Sequence, residues 1–176
     1  MSTGFATQMT AQGIDVEIRP ADLKDVGKYA LLAKAAQEWL RSRGLGQYVP
    51  AAHETPAALA ARVDSGTLYA VWRDGAAVAF FHLSAAPSPW WPADGVPALY
   101  LAGVVVDRAL RGQGVGRQII AWSAAEARRR NCECLRLDCH AGNPWLRRYY
   151  EAQGFVLRGE LEQHPGYRGC LFERTA

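Results

Sequence analysis

The sequence predicts an α/β (α+β) protein built on a mixed sheet, and three observations carry that prediction. Apolar runs of strand length recur along the chain and are interleaved with stretches of helical period. One nearly continuous apolar run, Leu99 to Asp107, feeds a glycine-rich turn that opens onto a helical pattern. A strand in the middle of a sheet, covered on both faces, reads this way. The chain then closes on a short capped helix and two last strands, so helices and strands neither segregate nor alternate strictly.

The elements follow in order. Val16 to Asp22 reads as a short strand that stops at Pro20. The next stretch has helical periodicity, with Leu23, Val26, Ala30, Ala33 and Leu40 as its inner stripe and Gly44 as a stop. Leu45 to Glu54 is a loop. A second helix begins at Thr55-Pro56, with threonine as cap and proline in the first turn, and runs to Val63 or Asp64. Two apolar strands around Arg73-Asp74-Gly75 form a hairpin, since Asp-Gly is a tight-turn signal. A proline-rich loop with Trp90 and Trp91 leads into the Leu99–Asp107 strand. A helix from Val115 to Arg130 carries Val115, Ile119 and Trp122 at i, i+4 and i+7. Cys134 to His140 is a strand. Asn143 as N-cap, Pro144 in the first position and Gly154 at the end punctuate a short helix.

Length and composition limit what such a chain does. Its 176 residues suit one domain, read as a flexible tail over residues 1–13 and a single domain over 14–176. Hydrophobic residues at 49% against 21% charged exclude a disordered chain. The net charge of +3 is too small to argue for nucleic acid. The groups Arg128-Arg129-Arg130, Arg147-Arg148 and Arg111 with Arg117 fit an anionic ligand or a solvated helix end. No apolar run is long enough to cross a membrane, and the N-terminus lacks a signal core, so a cytoplasmic location with no membrane partner is expected. Cys132, Cys134, Cys139 and Cys170 lack the spacings of a structural zinc site. They are read as buried free thiols, and no metal is expected.

The turn Arg111-Gly112-Gln113-Gly114-Val115-Gly116-Arg117 is the strongest functional signal. The first N–H groups of a helix lack partners inside it, and glycines let a phosphate approach the backbone. Three ligand classes compete. A P-loop would end in Gly-Lys-Ser/Thr, which is absent. A dinucleotide fingerprint would read G-x-G-x-x-G, whereas this turn reads G-x-G-x-G. Coenzyme A is the third.

Arg111-Gly112-Gln113-Gly114-Val115-Gly116 resembles the [Arg/Gln]-x-x-Gly-x-[Gly/Ala] signature of the GCN5-related N-acetyltransferase (GNAT) superfamily. Leu99–Asp107 is similar to that family's fourth strand. Cys134 to Phe155 is similar to its fifth strand, the asparagine after it, and a helix closing in Tyr150-Glu151-Ala152-Gln153-Gly154-Phe155. The resemblance is specific over Leu99–Phe155 and consistent in element order from Val16 onward. It implies a mixed, mostly antiparallel twisted sheet of six to seven strands flanked by about four helices. It also implies that acetyl-CoA binds with its pyrophosphate on the backbone of Arg111 through Arg117. The pantetheine arm would pair with Val104, Val105 and Val106, and Asn143 would lie near the arm or serve only as a cap.

The implied reaction is acyl transfer to a primary amine of a small molecule or protein, by direct attack in a ternary complex. An N–H near Val105 or Val106 would stabilise the oxyanion, and Tyr150 would protonate the departing sulfur. The alternative for Tyr150 is a packing tyrosine with its hydroxyl tied off. Some relatives carry a glutamate on the fourth strand, where this chain has Tyr100. His82, His53, Asp138 or a chain of waters remain as candidate bases. A non-catalytic acyl-CoA-binding regulatory module is the alternative function. The regions expected to hold the acceptor carry Trp39, Tyr48, His53, Trp90, Trp91, His164 and Tyr167, which suits a smallish organic amine. The two adjacent tryptophans equally suit a homodimer contact.

Overall fold

Local rules set most elements of the computed structural model, which describes residues 7–9, 15–45 and 55–176. Among these are eight strands, four α-helices and two 3-10 turns. The chain divides into two compact units, one up to His82 together with Gly103–Ile119, the other Leu83–Ala102 together with Ile120–Ala176. Neither unit is a continuous stretch of chain.

In the first unit, β1 (Thr7–Met9), β2 (Val16–Pro20), β3 (Leu68–Arg73) and β4 (Ala76–Ser84) pair antiparallel in sequence order. β1 lies in the segment read from sequence as a tail. Asp74 and Gly75 both have positive φ, 49° and 76°, the pair of left-handed residues a two-residue hairpin demands. A 3-10 turn at Leu23–Asp25 leads into α1 (Val26–Ser42). Its capping box has Asp22 Oδ1 accepting from Lys24 N at 2.9 Å and Asp25 Oδ2 accepting from Asp22 N at 3.0 Å. α2 (Pro56–Asp64) has the expected cap, with Thr55 Oγ1 accepting from Ala58 N at 3.2 Å.

The inner stripe of α1 differs from the one read off the sequence. Tyr29, Leu32 and Ala33 are buried, whereas Leu23 is 60% exposed and Ala30 faces solvent. The large ring of Tyr29 sets the phase: it packs edge-to-face on Phe80, with centroids 5.6 Å apart. Leu59, Leu68, Ala70 and Val105 complete that cluster.

In the second unit the first residues of β5 (Ala98–Val106) run parallel to β6 (Cys134–His140), from Ala98 opposite Cys134 to Tyr100 opposite Arg136. β6 pairs antiparallel with β8 (Tyr167–Thr175), and β8 with β7 (Val156–His164). One parallel pairing among antiparallel ones makes the arrangement mixed, as the sequence predicts. α3 (Val115–Arg129) starts in the first unit and ends in the second. Its residues Val115, Ile119 and Trp122 are buried, at the predicted spacing. α4 (Pro144–Ala152) starts on Asn143, whose Oδ1 accepts from Leu146 N at 3.1 Å. Gly154 (φ 84°) ends it.

A second apolar cluster holds Trp91, Ala98, Tyr100, Cys134 and Leu171. Trp91 is core, at 6% exposure. Buried Arg136 lies 4.5 Å above its ring and binds Asp94, Tyr100 and Glu173, which pins the proline-rich loop to β6. The four cysteines are free thiols. Burial pushes Cys139 up to about 12 and Cys134 and Cys170 up to about 11, so all three stay protonated near neutral pH. No helix among the described residues is long and apolar enough to cross a membrane.

Candidate functional site

The glycine turn is shaped by its own bonds. Asp107 Oδ1 accepts from Ala109 N at 3.0 Å, opening a 3-10 turn at Arg108–Leu110. Arg111 N then donates to Arg108 O, and Gln113 N to Leu110 O, both at 3.1 Å. Gly112 (φ 78°) and Gly114 (φ 86°) take left-handed conformations that an L side chain resists, and nothing lies within 4 Å of where their Cβ atoms would be. The consequence is a turn with spare donors. The N–H groups of Gly112, Gly114, Val115, Gly116 and Arg117 have no protein acceptor among the described residues, and Gln118 N is the first to close a helical turn, onto Gly114 O at 3.0 Å. The side chain of Gln113 is tied back, Nε2 to Ala109 O at 3.1 Å, while its Oε1 accepts from Arg73 at 3.2 Å. The guanidinium groups of Arg108 and Arg111 lie 4.5 and 4.7 Å from the ring of Trp39. Trp39, read from sequence as an acceptor-side aromatic, thus packs against two arginines of the turn.

The strand that feeds the turn is irregular in a useful way. Leu99 and Tyr100 are buried, Ala102, Gly103 and Val104 are exposed, and Val105 is buried again. Gly103 has φ 58°, and a Cβ there would come within 3.2 Å of the Tyr29 hydroxyl oxygen. A glycine of this kind inside a strand marks a local bend. Three residues in mid-strand are thus exposed.

In the second unit, Asn143 spends its Oδ1 on capping α4, leaving its amide donors available. Tyr150 points inward. Its ring packs against Phe155 and Phe172 with centroids 5.7 and 5.9 Å away, and no hydrogen bond of its hydroxyl is found among the described residues. Burial, reinforced by the neighbouring Cys139, pushes its phenol well above the usual range. Tyr149 stacks on exposed Trp145 at 5.5 Å.

These features have a family counterpart. Residues 35–155 match the model of the acetyltransferase (GNAT) family. The chain belongs to the GNAT family. Acetyl transfer is the activity that goes with it. An N-acetyltransferase of Bacillus subtilis (strain 168), YesJ, itself described as uncharacterized, is 28% identical over 165 residues, covering 88% of this chain and 87% of that protein. Among solved structures, a GNAT acetyltransferase from Listeria monocytogenes superposes with a TM-score of 0.81 at 22% identity, covering 97% of this chain and 100% of that one. PaiA N-acetyltransferase from Thermoplasma acidophilum, solved in complex with coenzyme A, gives 0.71 at 14% identity over 92% of this chain and 99% of that one. The fold is that of GNAT acetyltransferases.

Tyr100, expected from the sequence to stand in place of a carboxylate, is 8% exposed and accepts from Arg136 Nη1 at 3.2 Å. His82 is half-buried on β4 opposite Leu68. Tyr48 and His53 lie outside the described residues. Trp90 meets His164 edge-to-face at 5.0 Å, His164 lies 6.3 Å from Tyr167, and Tyr167 lies 4.8 Å from His140, making one aromatic row. Glu126 grips Arg129 and Arg130 at 2.6–2.7 Å, which ties two arginines of the basic run into α3. Arg147 pairs with Glu160 at 3.0 Å. One pairing gave no sequence signal: Gln163 Nε2 donates to Asp138 Oδ2 at 3.2 Å.

Proposed function

We propose that the chain transfers the acetyl group of acetyl-CoA to a primary amine of a small molecule or protein by direct attack in a ternary complex. The observation that carries this reading is the glycine turn. Five unclaimed N–H groups at the start of a 15-residue helix form a cradle for a pyrophosphate, and the helix dipole adds to it. The exposed residues Ala102–Val104 support it, because an amide-bearing arm can add to a strand there as an extra strand.

When bound, acetyl-CoA supplies an acetyl group activated as a thioester. The chain's residues do the rest. Gly112, Gly114, Val115, Gly116 and Arg117 hold the pyrophosphate by backbone, while Arg111 and Gln113 shape the turn. Val104, Val105 and Val106 orient the pantetheine arm, and an N–H at Val105 or Val106 faces the oxygen on which charge develops. Asn143, whose amide donors are not used in capping α4, would donate to the arm. Tyr150 gives its proton to the departing sulfur. Its phenol stays protonated at neutral pH and its hydroxyl is not tied off, both of which an acid needs. The aromatic row Trp90, His164, Tyr167 and His140 suits a smallish organic amine.

Tyr100 in place of a carboxylate favours one other reading, a non-catalytic acyl-CoA-binding regulatory module. A thermal shift with saturating acetyl-CoA tests the cofactor, and a thiol-release screen over amines separates enzyme from module. At a hundred times Kd, binding stabilises by about 2.7 kcal/mol. An unchanged melting temperature contradicts both readings.

A further inference from the structure

Building on the acetyl-transfer reading above, we propose that Asp138 is the general base for the acceptor amine and that Gln163 is the residue that positions it.

Strand alternation separates the two proton-transfer groups. On β6, Leu137 and Cys139 face one side, and Asp138 shares the other with Arg136 and His140. Tyr150 belongs to the first side: it packs on Phe172, which pairs with Leu137, and its phenol feels Cys139. Asp138, opposite Leu171, therefore stands across the strand from Tyr150. Direct attack needs a base at the nitrogen and an acid at the sulfur, and Asp138 and Tyr150 are near enough for the Asp138 charge to act on the phenol.

Three features converge on the Asp138 carboxylate. The β7–β8 ladder shifts register between Glu162, opposite Arg168, and His164, opposite Tyr167, so Gln163 is the extra residue of a β-bulge. Bulges re-aim side chains. That of Gln163 is buried and lies over Gly169, where a Cβ would come within 2.6 Å of its amide. Gly169 pairs with His140 on one side and Leu161 on the other, which brings the amide over β8 to Asp138 Oδ2 at 3.2 Å.

No cation balances that carboxylate among the described residues. On its own strand, Arg136 is taken by Asp94 and Glu173, and His140 stacks on Tyr167. β8 presents Leu171 and Gly169 at this level, β7 presents Gln163, β5 offers Tyr100, and α4's Arg147 is paired with Glu160. Across the strand stand the Cys139 thiol and the Tyr150 phenol. Burial therefore raises the Asp138 carboxyl above the ordinary aspartate value, and the Gln163 hydrogen bond offsets part of the rise. The carboxylate itself is half-buried on β6, so an incoming amine can reach it. A more basic carboxylate held by one neutral donor suits proton abstraction.

The step balances. The amine nitrogen bonds to the thioester carbonyl carbon and the carbon–sulfur bond breaks. The proton on nitrogen passes to Asp138, and the Tyr150 hydroxyl proton passes to sulfur. Tyr150 is reprotonated, and Asp138 deprotonated, through solvent. Thioester and amine become amide and thiol.

The test follows Asp138→Asn and Gln163→Ala with an amine the wild type acetylates, alongside carbon-13 NMR titration of the Asp138 carboxyl in the free protein. The side-chain carbonyl that Asp138→Asn leaves in place still accepts from Gln163. This variant should therefore keep the melting temperature and the acetyl-CoA thermal shift while kcat falls about 100-fold or more. The acidic limb of its rate profile should vanish. Gln163→Ala should lower kcat by less than Asp138→Asn does, and its NMR titration and acidic limb should move together to higher pH, because the lost bond favoured the ionised form. Near wild-type turnover in Asp138→Asn overturns the inference alone, as does titration of Asp138 at the ordinary aspartate value. A wild type that releases no thiol with any amine overturns the acetyl-transfer reading as well.

Discussion

Arg136 is the place where fold and charge are most tightly joined, and Arg136→Met should cost about 3 kcal/mol of stability. The side chain is 2% exposed. Nε donates to Glu173 Oε2 at 2.8 Å, Nη1 donates to Asp94 Oδ1 at 3.1 Å and Tyr100 Oη at 3.2 Å, and Nη2 donates to Asp94 Oδ2. Removing one partner of a buried ion pair costs about 3–5 kcal/mol, because the other charge is left behind. The lower end applies here. Glu173 keeps Arg158, at 2.6 Å from Nη2 to Oε1, and Asp94 is exposed enough to rehydrate. Methionine preserves much of the volume over Trp91, so little cavity term is added. For a chain of this size 1 kcal/mol moves Tm by about 2–4 °C, so the drop should be about 6–12 °C. Urea unfolding followed by tryptophan fluorescence should show a lower midpoint at unchanged slope. Arg136→Lys should recover little, since an ammonium cannot fork between two carboxylates. A methionine variant within about 2 °C of wild type would refute the reasoning.

Tyr150→Phe should lower turnover while leaving acetyl-CoA affinity and Tm unchanged, because no protein hydrogen bond is lost; calorimetry and thiol release read the two separately. Gly114→Ala forces an L side chain to φ 86°, so it should cost about 1–2 kcal/mol and weaken acetyl-CoA binding in the same titration. Asn143→Ala removes the cap of α4 and should cost about 1 kcal/mol in a thermal melt. Hydrogen bonds and charges from Arg129 and Arg130 hold Glu126 below the usual carboxylate range, and those from Arg136 and Arg158 outweigh burial at Glu173 to do the same. Their folded-state pKa values lie below the unfolded ones. Their stabilisation is therefore present above the ordinary glutamate value and lost as pH falls through the lowered ones. Tm should fall on acidification past that value, and Glu173→Gln should flatten the fall.

The parts of this protein governed by local rules were legible in the sequence. Asp74-Gly75, Thr55-Pro56, Asn143-Pro144 and Gly154 each fix a turn or cap within a few residues, and each stands where the sequence placed it. The glycine turn was legible too, because spare helix donors depend only on neighbouring residues. Long-range consequences were not. The phase of α1 follows from Tyr29 meeting Phe80, about fifty residues on, which overrides the period of its small residues. The contacts of Arg108 and Arg111 with Trp39 carry no local signal either. The link from Gln163 to Asp138 depends on a bulge and on Gly169 facing both neighbours, neither of which single-sequence patterning encodes. Strand register decides such contacts, and register is a property of pairs.

Purified protein incubated with acetyl-CoA and a panel of primary amines, read by free thiol and by mass spectrometry of the amine together, puts the whole reading at risk. One thiol released per acetylated amine, depending on both substrates and cut by Tyr150→Phe, is the predicted result. A protein that binds acetyl-CoA yet releases no thiol above the uncatalysed rate with any amine would contradict it and leave a binding module.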